Sequence, residues 1–140
     1  MAETGKGREL NTGQISACIM DMDGVVTDTA RLHARAWKRM FDEFLEQVSR
    51  KQGGALPPFD IEADYRRYVD GKPRYDGVQS FLDARGISLP YGDPADAPER
   101  ETVCGLGNRK NGYFLDILAQ EGVEPYRAAV DFIHKGREEG

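Results

Sequence analysis

The sequence contains few of the residues that would place it outside ordinary globular proteins. Its 140 residues include two cysteines, too few for a disulfide framework. No apolar run approaches the ~18 residues that a membrane span needs, and the polar residues 1–12 lack the hydrophobic segment of a signal peptide. A net charge of −5 provides no basic stripe for a nucleic-acid backbone. We therefore predict a cytoplasmic protein with neither a membrane nor a nucleic acid as its partner.

A pair of carboxylates directly after a short apolar run is the most informative feature present. The apolar residues of 15–21 predict a buried strand, which leads into Asp21-Met22-Asp23-Gly24. Alternation along an extended chain places Asp21 and Asp23 on one side, at the strand end where open α/β sheets bind ligands. Two such oxygen donors suit Mg²⁺, while one carboxylate attacks phosphorus and the other manages the leaving-group proton. The alternative interpretation is an acidic turn with a solvated face.

The run Asp-Met-Asp-Gly-Val-Val-Thr-Asp-Thr at 21–29 resembles the first signature of the haloacid dehalogenase superfamily of phosphatases and phosphomutases. The resemblance implies that Asp21 is the nucleophile that becomes an aspartyl phosphate. It also implies that Asp23 is the general acid and base and that its backbone carbonyl binds Mg²⁺. Met22 stands where the family more often has Phe or Leu, a departure that leaves the chemistry unchanged.

Helical periodicity dominates the sequence after these carboxylates. It predicts helices over about 30–51, 60–69, 73–86, 99–104 and 108–121, a further helix from Pro125, and a loop at 88–98. Asp28 or Thr29 is predicted to cap the first helix and Asp60 the second. The predicted parts of the chain are a flexible leader (1–14), a core strand with its catalytic loop (15–29), a helical cap (30–122) and a helix returning to the core (123–140). The resemblance implies an α/β parent fold with a helical cap, of which this chain is itself mostly α.

Three later groups of residues are similar to the β-phosphoglucomutase branch of that superfamily. The pattern Asp-Thr-Ala-x-x-His-x-x-Ala-Trp contains His33 and Trp37, Gly71-Lys72-Pro73-Arg74 matches a substrate-specificity loop, and Lys110 lies in Arg-Lys-Asn. The resemblance implies that these residues bind substrate, and the planar fork of an arginine suits a phosphate. The alternatives are that Trp37 belongs to the core, that His33 is a capping or surface residue, that Arg74 is a surface residue of a loop, and that Lys110 belongs to a solvated charged face.

Three further motifs of the superfamily do not occur in the sequence: a Ser or Thr ending the second strand, a Lys, and a late acidic pair. We therefore expect the N-terminal portion of a Mg²⁺-dependent, β-phosphoglucomutase-like phosphotransferase acting between the 1- and 6-positions of β-glucose phosphate. The alternatives are a phosphatase of a small phosphorylated metabolite and a non-catalytic helical module. The expected partner of either enzyme is a small phosphorylated sugar or metabolite. The chain alone is expected to be inactive, with the strand at 15–21 disordered or paired with a second copy.

Overall fold

The computed structural model describes residues 15–138, which are mostly helical as predicted. The elements are α1 (Thr29–Gln52), a π-helix (Tyr65–Val69), α2 (Arg74–Ala84), α3 (Val103–Glu121) and α4 (Arg127–Glu138). The leader predicted for 1–14 lies outside the described residues. Within 15–138, no helix is both long and apolar enough to cross a lipid bilayer.

The strand predicted over 15–21 is not formed. This segment has no regular secondary structure, and Ile19 is 99% exposed. A strand needs a neighbour to satisfy its backbone donors and acceptors. Between residues 15 and 138 the chain supplies only isolated bridges, from Asp23 to Thr27 and from Thr27 to Pro125. The self-association expected of the segment stays a prediction.

Helix α1 forms where the apolar spacing predicts it and buries one face along most of its length. Its predicted N-cap is confirmed in position but not as a side-chain cap. Asp28 is the N-cap residue, but its carboxylate lies 3.4 Å from the Arg31 guanidinium and accepts no bond from a helix amide. Thr29 lies inside the helix. The C-terminus ends at Gly53, whose positive φ of 75° lets its amide donate to the Ser49 carbonyl at 3.0 Å.

The core lies where α1, the π-helix, α2 and α3 meet. At its centre, the ring of Phe41 is 4.1 Å from that of Phe81 and 5.2 Å from that of Phe59, centroid to centroid. Burying aromatic side chains of this size contributes strongly to stability. The cluster consists of Trp37, Met40, Phe41, Phe44, Leu45, Phe59, Val69, Val78, Phe81, Leu82, Val103 and Leu106.

The second helix begins as predicted but is wound differently. The Asp60 carboxylate caps it, accepting from the amides of Glu62 at 2.9 Å and Ala63 at 2.7 Å. The turn then widens, because the Asp70 amide donates to the Tyr65 carbonyl five residues earlier, at 2.9 Å. Hydrophobic spacing distinguishes helix from strand but carries no signal for this wide turn.

Helix α3 replaces the two helices predicted over 99–104 and 108–121. It begins at Val103 because the hydroxyl oxygen of Thr102 accepts from the Gly105 amide at 2.9 Å. The same hydroxyl donates to the Asp96 carboxylate at 2.7 Å, which fixes the loop before the helix. One capped helix therefore continues through the region where a break was predicted.

The contact between α2 and α3 depends on the small size of Gly107. A Cβ at this position would lie 2.7 Å from Cδ1 of Tyr75, whereas a Cβ at Gly112 on the same helix would meet nothing within 4 Å. We expect Gly107→Ala to destabilise the protein by about 1–3 kcal/mol through overpacking. The matched variant Gly112→Ala should gain up to about 1 kcal/mol from helix propensity. Urea denaturation measures both, and equal effects would contradict this packing.

Candidate active site

A cavity of about 590 Å³ brings together side chains from four separated parts of the chain. It is bounded by the loop before α1, the first turns of α1, the segment from the π-helix to the first residue of α2, and α3. Its lining contains all the predicted site residues: Asp21, Asp23, His33, Trp37, Gly71, Arg74 and Lys110. Ala30, Tyr65, Val69, Asp70, Lys72 and Asn111 complete it. Residues up to 90 positions apart in sequence therefore share one solvent space, although their chemical roles stay predictions.

A tight turn presents the two carboxylates to this cavity. The Met22 carbonyl accepts hydrogen bonds from the three amides of residues 25–27, at 3.0–3.3 Å. Gly24 takes a φ of +78°, and a Cβ there would lie only 3.2 Å from Cβ of Ala30. The turn therefore holds Asp21 and Asp23 next to the N-terminus of α1.

Both oxygens of the Asp23 carboxylate have contacts from α1. The Thr29 hydroxyl donates to Oδ1, and Nε2 of His33 lies 3.6 Å from Oδ2. Nδ1 of His33 is 2.8 Å from the Lys110 ammonium. Because an ammonium only donates, Nδ1 accepts, and the neutral ring carries its proton on Nε2, facing Asp23. The contacts run from Lys110 through His33 to Asp23.

Burial shifts the pKa values of both His33 and Lys110. It lowers the pKa of His33, as does the neighbouring Lys110 charge, while Asp23 raises it. The ring also stacks on Phe114 at a centroid distance of 4.0 Å. Burial, followed by the charge of Arg74, lowers the pKa of Lys110 to about 8. The site therefore holds an ammonium that an anionic ligand would stabilise.

The lowered pKa of Lys110 makes the stability of the fold depend on pH. The pKa of Lys110 falls from 10.5 to about 8 on folding, so its charged form destabilises the folded state below that value. As pH rises from 8 to 10.5, the folded lysine loses its proton before the unfolded one does, and stability increases. We expect Lys110→Met to be more stable than wild type at pH 7, by up to about 3 kcal/mol less the lost His33 contact.

The difference in stability between Lys110→Met and the wild type should shrink between pH 8 and pH 10, because only the wild type gains stability there. Urea denaturation of both proteins at pH 7, 8.5 and 10 measures it. A difference that stays constant across this range would show that Lys110 is not destabilised by its surroundings.

Arg74 supplies a second cation at the first residue of α2. Its Nε is buried and has no hydrogen-bond partner among residues 15–138. A buried donor without a partner costs free energy, more so on a charged group. The Tyr75 hydroxyl donates to Oδ1 of Asn108 at 2.9 Å and so links α2, which carries Arg74, to α3, which carries Lys110. The cations of Arg74 and Lys110 line one cavity and together favour an anion there.

The oxygen donors are compatible with Mg²⁺ shared with such an anion. One oxygen of the exposed Asp21 carboxylate accepts from the Met22 amide at 2.8 Å, and the other has no partner among residues 15–138. The backbone carbonyl of Asp23 is similarly uncommitted there. The part of the chain that the structure describes holds no cluster of three or more metal-ligating side chains. Mg²⁺ tolerates this, since it retains waters and accepts phosphate oxygens beside one or two carboxylates.

Trp37 is both a core residue and part of the lining. It is only 4% exposed, and its ring lies 3.3 Å from where a Cβ on Gly77 of α2 would stand. The Lys110 ammonium lies 5.0 Å from the ring centroid, within the range of a cation–π contact. Trp37 can therefore be a core residue, as one interpretation of the sequence has it, and still line a substrate site, as the other has it.

Sequence reasoning missed several residues that the structure places at the site. Lys72 lies inside the specificity loop and Asn111 directly follows a predicted ligand, so both could have been found. Thr29 was considered only as a cap, although its hydroxyl reaches Asp23. Tyr65 gave no signal, because its placement depends on the wide turn of the π-helix.

No protein-family model matches the chain. Over 113 residues, 81% of its length, the chain is 50% identical to a protein of Mycobacterium tuberculosis (strain CDC 1551 / Oshkosh) named beta-phosphoglucomutase. A beta-phosphoglucomutase of Bacillus subtilis (strain 168) is 29% identical over 111 residues. An uncharacterized glycosyl hydrolase of M. tuberculosis (strain ATCC 25618 / H37Rv) is 36% identical over 132 residues. The matched segment spans 43%, 42% and 10% of these relatives, respectively.

Proposed function

We propose that the protein is a Mg²⁺-dependent phosphotransferase that interconverts β-glucose 1-phosphate and glucose 6-phosphate through a phosphorylated Asp21. The proposal includes a haloacid dehalogenase-like α/β core for which α1 to α3 form the helical cap. The observation that carries it is the shared cavity, where a carboxylate pair faces the same space as the cations of Arg74 and Lys110. The 50% identity to a beta-phosphoglucomutase supports the choice of reaction.

The chemistry follows from the two carboxylates. An oxygen of Asp21 attacks phosphorus, and the bond from phosphorus to the sugar oxygen breaks. The Asp23 carboxyl gives its proton to that leaving oxygen. In the second half-reaction a sugar hydroxyl attacks the aspartyl phosphate, and Asp23 takes the hydroxyl proton as Asp21 is released. The contacts from Thr29 and His33 hold the Asp23 carboxyl in position for both transfers.

Charge neutralisation has two sources in this proposal. Mg²⁺ held by the Asp21 carboxylate and the Asp23 carbonyl would neutralise the transferring phosphoryl group when bound. Arg74 and Lys110 bind the second, non-transferring phosphate of a bisphosphorylated sugar. That phosphate would pair with the Arg74 guanidinium and stabilise the charged form of Lys110.

Arg74→Ala tests the assignment of the second phosphate. We expect it to lower kcat/KM for β-glucose 1,6-bisphosphate by about 30- to 1000-fold, because one set of charge-assisted hydrogen bonds is lost. Acetyl phosphate has no second phosphate, so its kcat/KM should change little. Steady-state kinetics on the full-length protein with Mg²⁺ measure both ratios.

Arg66→Ala is the matched control, since Arg66 is an exposed arginine that is not part of the cavity lining. It should leave both ratios at their wild-type values. If Arg74→Ala lowers kcat/KM equally for β-glucose 1,6-bisphosphate and for acetyl phosphate, Arg74 does not bind the second phosphate. Hydrolysis of β-glucose 1-phosphate without formation of glucose 6-phosphate would show a phosphatase instead.

A further inference from the structure

Tyr65 is a neutral hydrogen-bonding side chain in a cavity otherwise dominated by charges. It lines the same space as Asp23 and Arg74 and is half-buried. Its hydroxyl makes no hydrogen bond within residues 15–138, unlike that of Tyr75, which bonds Asn108. A phenol that faces a ligand cavity without a protein partner is available to a ligand.

The π-helix carries Tyr65, which packs against the hydrophobic core, to the wall of the cavity. In an α-helix, residues five apart differ by about 140° around the axis. Here the Asp70 amide donates to the Tyr65 carbonyl at 2.9 Å, and this wide turn brings the two residues to one side. Both line the cavity. Wide turns of this kind are rare and occur frequently at functional sites.

Like any tyrosine, Tyr65 is protonated in the neutral range, and its surroundings favour that form further. Burial raises the pKa of Tyr65, and the charges of Asp70 and Asp23 raise it further. The hydroxyl therefore keeps its proton throughout the neutral range. A protonated phenol beside a carboxylate offers one donor and one acceptor, which suits adjacent hydroxyl groups of a neutral polyol.

We propose that Tyr65 binds the hydroxyl groups of the sugar ring and so determines specificity for a sugar phosphate over a simple phosphate. This inference rests on the proposed function, because it needs a phosphorylated sugar in the cavity. The phosphates at either end of such a ligand use the cations and Mg²⁺, and the uncharged ring between them needs neutral partners. Tyr65 is a specificity residue in this account and takes no part in the phosphoryl transfer.

Isothermal titration calorimetry of the full-length protein with glucose 6-phosphate and with inorganic phosphate, both with Mg²⁺, tests the proposal. Tyr65→Phe should weaken glucose 6-phosphate binding by about three- to tenfold, as expected for the loss of one hydrogen bond. It should leave phosphate binding unchanged. Because the ring is retained, the fold is preserved, which thermal denaturation checks.

Tyr68→Phe is the matched control: Tyr68 lies on the same π-helix, packs against Phe81 and does not line the cavity. It should change neither affinity. If Tyr65→Phe leaves glucose 6-phosphate binding intact, or weakens both ligands equally, Tyr65 has no role in specificity and the proposed function is unaffected. If the wild type binds phosphate but gains nothing from the sugar, the specificity proposal is wrong. If the wild type binds neither, the proposed function fails as well.

Discussion

Asp21→Asn is expected to lower phosphotransferase turnover in the full-length protein by at least about 10⁴-fold, as for other residues that act as catalytic nucleophiles. An amide cannot attack phosphorus as a carboxylate does, so no phosphorylated enzyme forms. The Asp21 side chain is exposed, and within residues 15–138 it accepts one hydrogen bond, from the adjacent Met22 amide. The variant should therefore unfold at the same urea concentration as the wild type.

Asp116→Asn provides the matched control for this loss, because Asp116 is an exposed aspartate of α3 that lies outside the cavity. Its turnover should equal that of the wild type. Residual activity of Asp21→Asn within about tenfold of the wild-type rate would exclude Asp21 as the nucleophile.

Asp23→Asn should have the second largest effect, and the effect should depend on the leaving group. Transfer from β-glucose 1-phosphate needs a proton on the departing sugar oxygen, and general acid catalysis typically contributes 10²- to 10⁴-fold. An aryl phosphate with an acidic phenol leaves without a proton, so its first-order phosphorylation of the enzyme should fall far less. Stopped-flow measurement of phenol release, compared with glucose release, gives both rates.

The prediction for Asp23 has its own structural control. Thr29→Val removes the hydroxyl that donates to Oδ1 and leaves the carboxylate in place. It should lower the rate with β-glucose 1-phosphate modestly and the rate with the aryl phosphate less, because Asp23 is still present but loses one of the contacts that position it for proton transfer. If Asp23→Asn lowers the rates with β-glucose 1-phosphate and with the aryl phosphate equally, Asp23 has a structural role and does not transfer the proton.

The sequence was sufficient to predict the helices whose apolar faces build the core. Helix α1 was predicted to within one or two residues because Phe41, Phe44 and their neighbours recur at helical spacing and are buried accordingly. The cap at Asp60 was predicted because its carboxylate bonds amides only two and three residues away. These features depend on local interactions, which a sequence displays directly.

The wrong predictions involve interactions with distant or missing partners. The apolar run at 15–21 suits a strand, but a strand depends on a neighbour that residues 15–138 do not supply. The start of α3 was misplaced because Thr102 is oriented by Asp96 across a loop. The wide turn at Tyr65 depends on one backbone hydrogen bond, from the Asp70 amide to the Tyr65 carbonyl. No pattern of residue types predicts that bond.

In the candidate site, too, local motifs were predictable and contacts between distant residues were not. Asp21, Asp23 and Arg74 were singled out by short motifs, and the structure places all three at one cavity. The contact between His33 and Lys110, 77 residues apart, emerges only from the packing of α1 against α3. A motif can thus name the residue types that a reaction needs, whereas the charges they carry depend on burial that only the fold determines.

Identification of the phosphorylated residue tests the central claim most directly. The full-length protein is mixed with β-glucose 1,6-bisphosphate and Mg²⁺, quenched in acid, and treated with borohydride, which reduces an aspartyl phosphate to homoserine. Peptide mass spectrometry then locates the modified position. The account predicts homoserine at position 21 in the wild type and none in Asp21→Asn. Reduction at Asp23 or at another carboxylate, or turnover without any reduced aspartate, would contradict it.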